Sequence, residues 1–261
     1  MVLVITSAGC KQTANKYLKQ AKEKVTLQDF KGAIDNYTKA IELEPGNIVA
    51  YTGRAISKNS LHDYVGAIAD YTKAIEINPK NAGVYYNRAY AKDILNDYKG
   101  AIDDYSKAIE INPKDQQPYF NRGNEKYCIK DYLGAIDDFN IALEIGPNEA
   151  RIYNGRGNAK AALLIYNAAI DDFTRSIEIN PRNADSYFYR GNSNAALHKF
   201  QAAIEDYSKA IEIRPTFKEV YRIRGLMRIL IDQEEAGCLD FKKAGELGDT
   251  EASYFLERYC K

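Results

Sequence analysis

Apolar residues recur at three- and four-residue steps along most of the chain. The stretch that shows this most clearly carries Tyr98, Ala101, Ile102, Tyr105, Ala108 and Ile109. That spacing places the apolar side chains on one face of a helix. Pro113 lacks an amide donor and disfavours helical geometry at Asn112, so we predict that this helix ends there.

The same stretch is repeated along the chain with a constant period. Six of the seven prolines are spaced 34 residues apart, and they are Pro45, Pro79, Pro113, Pro147, Pro181 and Pro215. Pro118 lies outside the series. A fixed period of roughly 20 to 50 residues is typical of stacked units that cannot bury their apolar faces alone. The unbroken period therefore predicts one elongated solenoid without a linker.

Placing the repeated proline at position 32 divides the chain into repeats 1 to 7, which are residues 14–47, 48–81, 82–115, 116–149, 150–183, 184–217 and 218–251. Small residues recur at positions 8, 20 and 27, and tyrosine or phenylalanine recurs at positions 4 and 24. We expect the small residues to let two helix backbones approach closely, while the aromatic rings fill the space beside them.

This repeat resembles the tetratricopeptide repeat (TPR), a helix-turn-helix unit of 34 residues. In repeat 3 the matching positions are Tyr85, Ala89, Ala101, Tyr105 and Ala108, and the resemblance covers 238 of 261 residues. It implies an all-α fold, a right-handed superhelical solenoid of seven helix-turn-helix repeats. Residues 252–261 would form a C-terminal capping helix, and residues 1–13 a lead-in to the first repeat.

The chain departs from the family pattern at two places. Position 11, which is usually aromatic in the family, is polar or charged in every repeat: Lys24, Lys58, Lys92, Lys126, Lys160, Asn194 and Arg228. Repeat 7 has Asp249 where the proline is expected. This second departure fits an atypical terminal repeat.

Two rows of opposite charge occur together in repeats 2 to 7. Position 7 is Arg54, Arg88, Arg122, Arg156, Arg190 and Arg224, and position 23 is Asp70, Asp104, Asp138, Asp172, Asp206 and Asp240. Repeat 1 lacks both, with Gln20 and Asn36. Because arginine matches carboxylate geometry, the joint absence indicates that the two positions pair. The alternative is that the arginines form an anion-binding row.

Composition gives no support for nucleic-acid or anionic-membrane binding, because the formal net charge is zero and the pI is near 6.8. No apolar run approaches the roughly 18 residues that a transmembrane helix needs. Four cysteines are too few and too scattered for a disulfide scaffold. Cys238 and Cys260 are nevertheless expected at meeting ends of the last two helices. Either they form a disulfide in an oxidising compartment, or they remain separate thiols.

The N-terminus differs from the repeats. Ser7, Ala8 and Gly9 precede Cys10 and follow an apolar stretch, residues 2–5. This resembles the end of a bacterial lipoprotein signal, which implies a lipid anchor on Cys10 and a place in the bacterial envelope if residues 1–9 end a longer signal peptide. If Met1 is the true start, the segment is an apolar lead-in packed on the first repeat and the protein is cytoplasmic.

The resemblance implies that the first helix of each repeat lines a concave groove, with positions 2, 5, 6, 9, 12 and 13 pointing into it. Position 9 carries three successive asparagines, whose amides can pair with the backbone of an extended peptide. With the neighbouring aromatic and polar side chains, the predicted partner-binding residues are Tyr86, Tyr90, Phe120, Asn121, Asn124, Arg151, Asn154, Asn158, Phe188, Tyr189, Asn192 and Arg222. The alternative is that the asparagines simply suit an exposed helix surface.

An enzyme is disfavoured, because the sequence has no glycine-rich phosphate loop, HExxH motif or CxxC pair. His62 and His198 are interpreted as solvated turn residues, and no cofactor or metal is expected. The lysines and asparagines by which TPR proteins hold a chaperone's C-terminal carboxylate are absent from repeats 1 to 3. The sequence predicts a non-catalytic scaffold that binds a protein or peptide partner. The alternative is a structural protein that forms homo-oligomers through its ends or convex face.

Overall fold

The structure is a computed structural model that describes residues 7–260, with side chains from Lys11 onward. It divides into two compact units, residues 1–129 and 130–261. Unit 1 contains α1 (Ser7–Thr26), α2 (Phe30–Leu43), α3 (Ile48–Ser60), α4 (Tyr64–Ile77), α5 (Ala82–Ile94), α6 (Tyr98–Ile111) and α7 (Gln116–Cys128). Unit 2 contains α8 (Tyr132–Ile145), α9 (Ala150–Ala162), α10 (Tyr166–Ile179), α11 (Ala184–Ala196), α12 (Phe200–Ile213), α13 (Lys218–Ile229), α14 (Glu234–Glu246) and α15 (Ala252–Tyr259).

Within each repeat a first helix and a second helix are joined by a short turn, so odd-numbered helices are first helices and even-numbered ones second. The turn residue at position 15 has φ near +60° in every repeat: Gln28, His62, Asn96, Lys130, Leu164, His198 and Asp232. This left-handed conformation ends the first helix. In repeats 1 to 4 an aspartate then accepts a hydrogen bond from the glycine amide three residues later, which caps the second helix.

The core of each unit consists of the small and aromatic residues that the pattern predicts. Positions 20 and 27 are fully or almost fully buried, and so are the position-24 rings Tyr37, Tyr71, Tyr105, Phe139, Phe173, Tyr207 and Phe241. The serine that replaces alanine at position 27 of repeat 5, Ser176, is also buried and donates to the carbonyl of Ala150 at 2.9 Å. The hydroxyl therefore keeps a hydrogen-bond partner in a site built for a methyl group.

The arginine at position 7 and the aspartate at position 23 pair within a repeat. Five of the six predicted pairs lie within a single unit, and all five are bidentate; in repeat 5 Arg156 Nε and Nη2 donate to the Asp172 carboxylate at 3.0 and 2.6 Å. The aspartates of these pairs are at most 5% exposed. The contact joins the first helix of a repeat to its second helix away from water.

All six arginines at position 7 also donate a hydrogen bond to the preceding repeat. Nη1 of each donates to a side-chain oxygen at 2.7 to 3.0 Å, and the acceptors are Thr38, Thr72, Ser106, Asn140, Thr174 and Ser208. Each guanidinium also lies over the ring of the position-4 tyrosine, with 5.5 to 5.8 Å to the ring centroid. One side chain thus connects two helices of its own repeat and the repeat before it.

The polar residue at position 11 makes a second contact to the same buried aspartate. Lys58 and Lys92 in unit 1, and Lys160 and Arg228 in unit 2, lie 2.7 to 2.8 Å from its second oxygen. In repeat 6 the amide of Asn194 donates to Asp206 instead, at 3.1 Å. The departure from the family pattern at this position is therefore part of the charge network.

A buried carboxyl group interrupts the packing of unit 1. Position 10 carries small buried residues in repeats 2, 3, 5 and 6, such as Ser57 and Ala91, but in repeat 4 it is Glu125, which is 4% exposed. Its Oε2 has no hydrogen-bond partner. Burial, followed by the charge of Asp93 and a hydrogen bond to it, raises the pKa of Glu125 to about 8.

The chain closes on a small aromatic and disulfide cluster in unit 2. The α15 ring of Phe255 stacks on Phe241 of α14 with centroids 5.2 Å apart. Cys238 and Cys260 form a disulfide, with their Cα atoms 5.7 Å apart. The helix that follows repeat 7 is thereby fixed to α14 by a covalent bond as well as by ring packing.

Asp249 has a specific role where the repeat pattern expects proline. Its carboxylate accepts from the amide of Glu251 at 2.9 Å and pairs with Arg222 at 3.0 Å. Arg222 also pairs with Glu251 at 3.1 Å. Asp249 therefore fixes the turn that leads into α15.

We predict that Arg156 and Asp172 are energetically coupled. Asp172→Ala leaves Arg156 and Lys160 without their shared carboxylate, whereas Arg156→Ala leaves Asp172 paired with Lys160. We expect Asp172→Ala to cost about 3 kcal/mol or more and Arg156→Ala less, with a coupling energy of about 1 to 3 kcal/mol in the double variant. Denaturant unfolding of the two single variants and the double variant measures this.

The exposed pair of Arg175 and Glu178 on α10 is the matched control, and breaking it should change stability little because both groups are solvated. Strictly additive losses at Arg156 and Asp172 would contradict the coupling.

We also predict that Glu125 makes the protein less stable as the pH rises. The folded state keeps the Glu125 proton up to about pH 8, whereas the unfolded chain loses it near pH 4.5. Between these values the unfolded state binds fewer protons, so stability falls with rising pH and levels off above the folded pKa. Glu125→Gln should remove this contribution, on the order of 2 kcal/mol between pH 5 and 8.

The measurement is the denaturation midpoint of wild type, Glu125→Gln and Glu42→Gln at a series of pH values. Glu42 is an exposed glutamate of the same unit, so its variant should keep the slope of the wild type. An equal slope in Glu125→Gln and wild type would show that Glu125 is ionised in the folded protein.

Candidate functional site

The first helices present one set of side chains that the repeat network does not use, namely positions 2, 5, 6, 9, 12 and 13. We call this set the first-helix face and describe it for each unit separately. All twelve residues that the sequence predicts for partner binding lie on it. The structure places them in different surroundings, because several have already found partners within the protein.

In unit 1 the predicted residues form a tyrosine and asparagine cluster. Asn121 of α7 donates to the Tyr86 hydroxyl at 2.9 Å, and the Tyr86 ring packs edge-on against Tyr105 at 5.6 Å. Phe120 and Asn124 are half-buried on the same helix. Tyr90 is the most accessible of the set, with 47% of its surface exposed. The hydrogen bond between Asn121 and Tyr86 orders this cluster, and the Tyr90 ring remains accessible to a partner.

In unit 2 two of the predicted aromatic residues are packed among other rings. Phe188 lies 5.2 Å from both Tyr189 and Phe217, and Tyr189 stacks on Phe173 at 5.9 Å. These contacts fill space between α10, α11 and the turn before α13. Phe188 and Tyr189 therefore serve mainly to pack unit 2 and present less of their rings to a partner.

Two polar members of the predicted set also have internal partners. The Asn192 side-chain oxygen accepts from the Tyr207 hydroxyl at 2.8 Å, which leaves its amide NH₂ as the group available for a ligand. Arg222 is held by Asp249 and Glu251 at the C-terminal cap. Arg222 therefore stabilises the C-terminal end of unit 2.

The remaining polar residues lie together on α9. Arg151, Asn154 and Asn158 follow at spacings of three and four residues, which places them on one stripe of the helix. Arg151 pairs with the neighbouring Glu149 at 3.2 Å. Oδ1 of Asn154 is buried and has no hydrogen-bond partner. A buried acceptor without a donor is costly, so this stripe is suited to receive a donor from a ligand.

Two accessible apolar residues that α3 contributes to the face were left out of the predicted set. Val49 and Ile56 of α3 are 46% and 42% exposed, and they occupy positions 2 and 9 of repeat 2. In the sequence they can be recognised as two aliphatic residues seven positions apart at groove positions. The row of asparagines at position 9 does not indicate this pair.

No cluster of histidine, cysteine or acidic side chains suited to a metal ion occurs within the described residues. His62 Nδ1 lies 2.8 Å from the Tyr64 hydroxyl, and the His198 ring packs edge-on against Phe200. Within residues 7–260, none of the helices has the length and apolar character that a bilayer-spanning helix requires. The lipidation hypothesis concerns the Cys10 side chain and the upstream segment, residues 1–6, which lie outside the described part.

Comparisons with known proteins find tetratricopeptide repeats in this chain. The family model described as tetratricopeptide repeat matches residues 82–115 and 184–217, and a second model described as TPR repeat matches residues 59–92. The first two ranges coincide with repeats 3 and 6. No curated protein matches the chain.

Several solved structures share the fold. A tetratricopeptide repeat protein from Parabacteroides merdae is 23% identical, with 96% of this chain and 100% of that chain covered and a TM-score of 0.70. The C-terminal part of a TPR repeat-containing protein from Cytophaga hutchinsonii is 18% identical, with coverages of 92% and 99% and a TM-score of 0.77. YrrB, a TPR protein with an unusual peptide-binding site, is 24% identical, with coverages of 70% and 95% and a TM-score of 0.63.

The 34-residue period, the helix pairs that follow it, the matched family models and the shared fold together establish that this chain is a member of the tetratricopeptide repeat family.

Proposed function

We propose that this protein is a non-catalytic scaffold that binds an extended segment of a partner protein along its first-helix faces. The observation that carries the proposal is the stripe on α9, where Asn154 keeps a buried oxygen without a donor one turn before Asn158. An extended peptide offers backbone N–H and C=O groups in a regular row, and an asparagine side chain can pair with both.

The charge of the surroundings supports a peptide backbone as the ligand of this stripe. Arg151 is paired with Glu149, and the other two members of the stripe are neutral amides. Such a surface offers hydrogen bonds and little net charge, so the backbone groups of the ligand would carry the polar contacts. Side chains of the ligand would then contact the neighbouring face of α11, where Asn192 keeps a free amide NH₂.

In unit 1 the corresponding contacts would come from the accessible ring of Tyr90 and from Asn124. Exposed aromatic residues are frequent anchors of protein interfaces because they bury a large area at low entropic cost. YrrB, a TPR protein with an unusual peptide-binding site, shares the fold. The remaining predicted residues would stabilise the first-helix faces of the two units without contacting the partner.

We predict that replacing both asparagines of the stripe weakens partner binding. Asn154→Leu with Asn158→Leu removes the amide groups but keeps helix-forming side chains of similar size. We expect a loss of about tenfold or more in affinity, since each hydrogen bond contributes about 0.5 to 1.5 kcal/mol. Affinity purification followed by mass spectrometry identifies the partners, and titration with the bound segment measures the loss.

The matched control is Asn167→Leu on α10, because Asn167 is exposed but belongs to a second helix. This variant should retain the partners of the wild type. If the double variant retained the same partners with the same affinities, the stripe would not be the binding site.

A further inference from the structure

An apolar pocket lies on the first-helix face of unit 1, apart from the stripe on α9. It is lined by Lys22, Tyr37, Ile48, Val49, Thr52, Gly53, Ile56 and Asn81, and its volume is about 320 Å³. That volume accommodates one large side chain with room to spare. We call it the α3 pocket, because five of its eight lining residues belong to α3.

Gly53, at position 6 of repeat 2, lines the α3 pocket together with the Tyr37 ring. A Cβ added to Gly53 would lie 2.3 Å from Cζ of the Tyr37 ring, so the ring packs directly on the glycine backbone. Repeats 3 and 4 carry Asn87 and Asn121 at the same position. The Tyr37 ring, 4% exposed, thus takes the place of a position-6 side chain and forms part of the wall of the recess at Gly53.

Two aliphatic side chains border this recess. Val49 and Ile56 are seven residues apart on α3 and so lie on one face of the helix. Both are more than two-fifths exposed. Covering them with an apolar ligand atom removes apolar area from water, which is favourable.

The charge at the rim of the α3 pocket indicates which kind of ligand residue would lie beside the apolar side chain that the pocket binds. Among the lining residues Lys22 is the charged one, and it is exposed on α1 at position 9 of repeat 1. A basic neighbour in the ligand would be repelled there, and an acidic one attracted.

We propose that the α3 pocket binds a bulky aliphatic or aromatic side chain of an extended partner segment, followed by an acidic side chain that pairs with Lys22. This inference rests on the proposed function, since it names the chemistry of the segment that the scaffold binds. It adds a site that uses neither the asparagines of α9 nor the residues of unit 2.

The test uses the full chain and labelled pools of short peptides that are acetylated and amidated, so that the carboxylates come from side chains. The first pool carries leucine followed by glutamate, the second leucine followed by lysine, and the third serine followed by glutamate. Fluorescence polarisation measures binding. We expect the first pool to bind about tenfold more tightly than the third, since burial of one apolar side chain contributes at least that factor. We expect it also to bind more tightly than the second, because Lys22 attracts glutamate and repels lysine.

Variants then locate the binding. Ile56→Asn introduces the residue that repeats 4 to 6 carry at this position, so the helix should be retained, and we expect about a tenfold loss for the first pool. Lys22→Gln should remove the preference for the first pool over the second and keep the preference over the third. Val65→Asn is the control, because Val65 is 69% exposed on α4, a second helix.

Equal binding of the three pools, or unchanged binding by Ile56→Asn, would overturn the proposal for the α3 pocket. If the first pool binds and is weakened by Asn154→Leu with Asn158→Leu but not by Ile56→Asn, the pocket is not the site and the proposed function stands. If the first pool is weakened by Ile56→Asn alone, the α3 pocket binds it independently of the stripe on α9.

Discussion

The arginine at position 7 is the side chain on which the repeat architecture depends. Within a repeat it makes a bidentate contact to a buried aspartate, and towards the preceding repeat it donates to a hydroxyl or amide oxygen. It also lies over the ring of the position-4 tyrosine. A planar cation with several fixed donors can make these contacts at once, which a lysine cannot. The helix pair and the stacking of repeats are therefore coupled through one group.

This coupling places the buried charges under strict requirements. Each aspartate in the network is almost fully buried, so it needs compensation from more than one donor. The lysine at position 11 supplies it in repeats 2, 3 and 5, and an arginine or an asparagine does so in repeats 7 and 6. Repeat 1 lacks the arginine and the aspartate, and its Lys24 pairs with Asp29 at the turn instead. Repeat 1 thus keeps its helix pair without the backward contact that the position-7 arginine makes in the other repeats.

The first-helix face is free to vary because the network occupies other positions. Glycine at position 6 of repeat 2 lets the Tyr37 ring pack directly on α3, whereas asparagine at the same position in repeat 4 joins two tyrosines. Position 9 is isoleucine in repeat 2 and asparagine in repeats 4 to 6. A constant scaffold with a variable lining can match a partner segment residue by residue, which is the physical basis of the function that we propose.

The 34-residue period, the helix pairs, the buried small and aromatic positions and the pairing of Arg156 with Asp172 could be predicted, because each depends on local periodicity or on charges that recur together. Which side chains of the first-helix face already have partners could not be predicted, because this depends on how the helices pack. Arg222 and Asp249 meet across α13 and the start of α15, and Tyr207 reaches Asn192 from another helix. The recess at Gly53 depends on a ring from the preceding repeat. The 34-residue pattern does not predict such contacts, because they depend on how neighbouring helices pack.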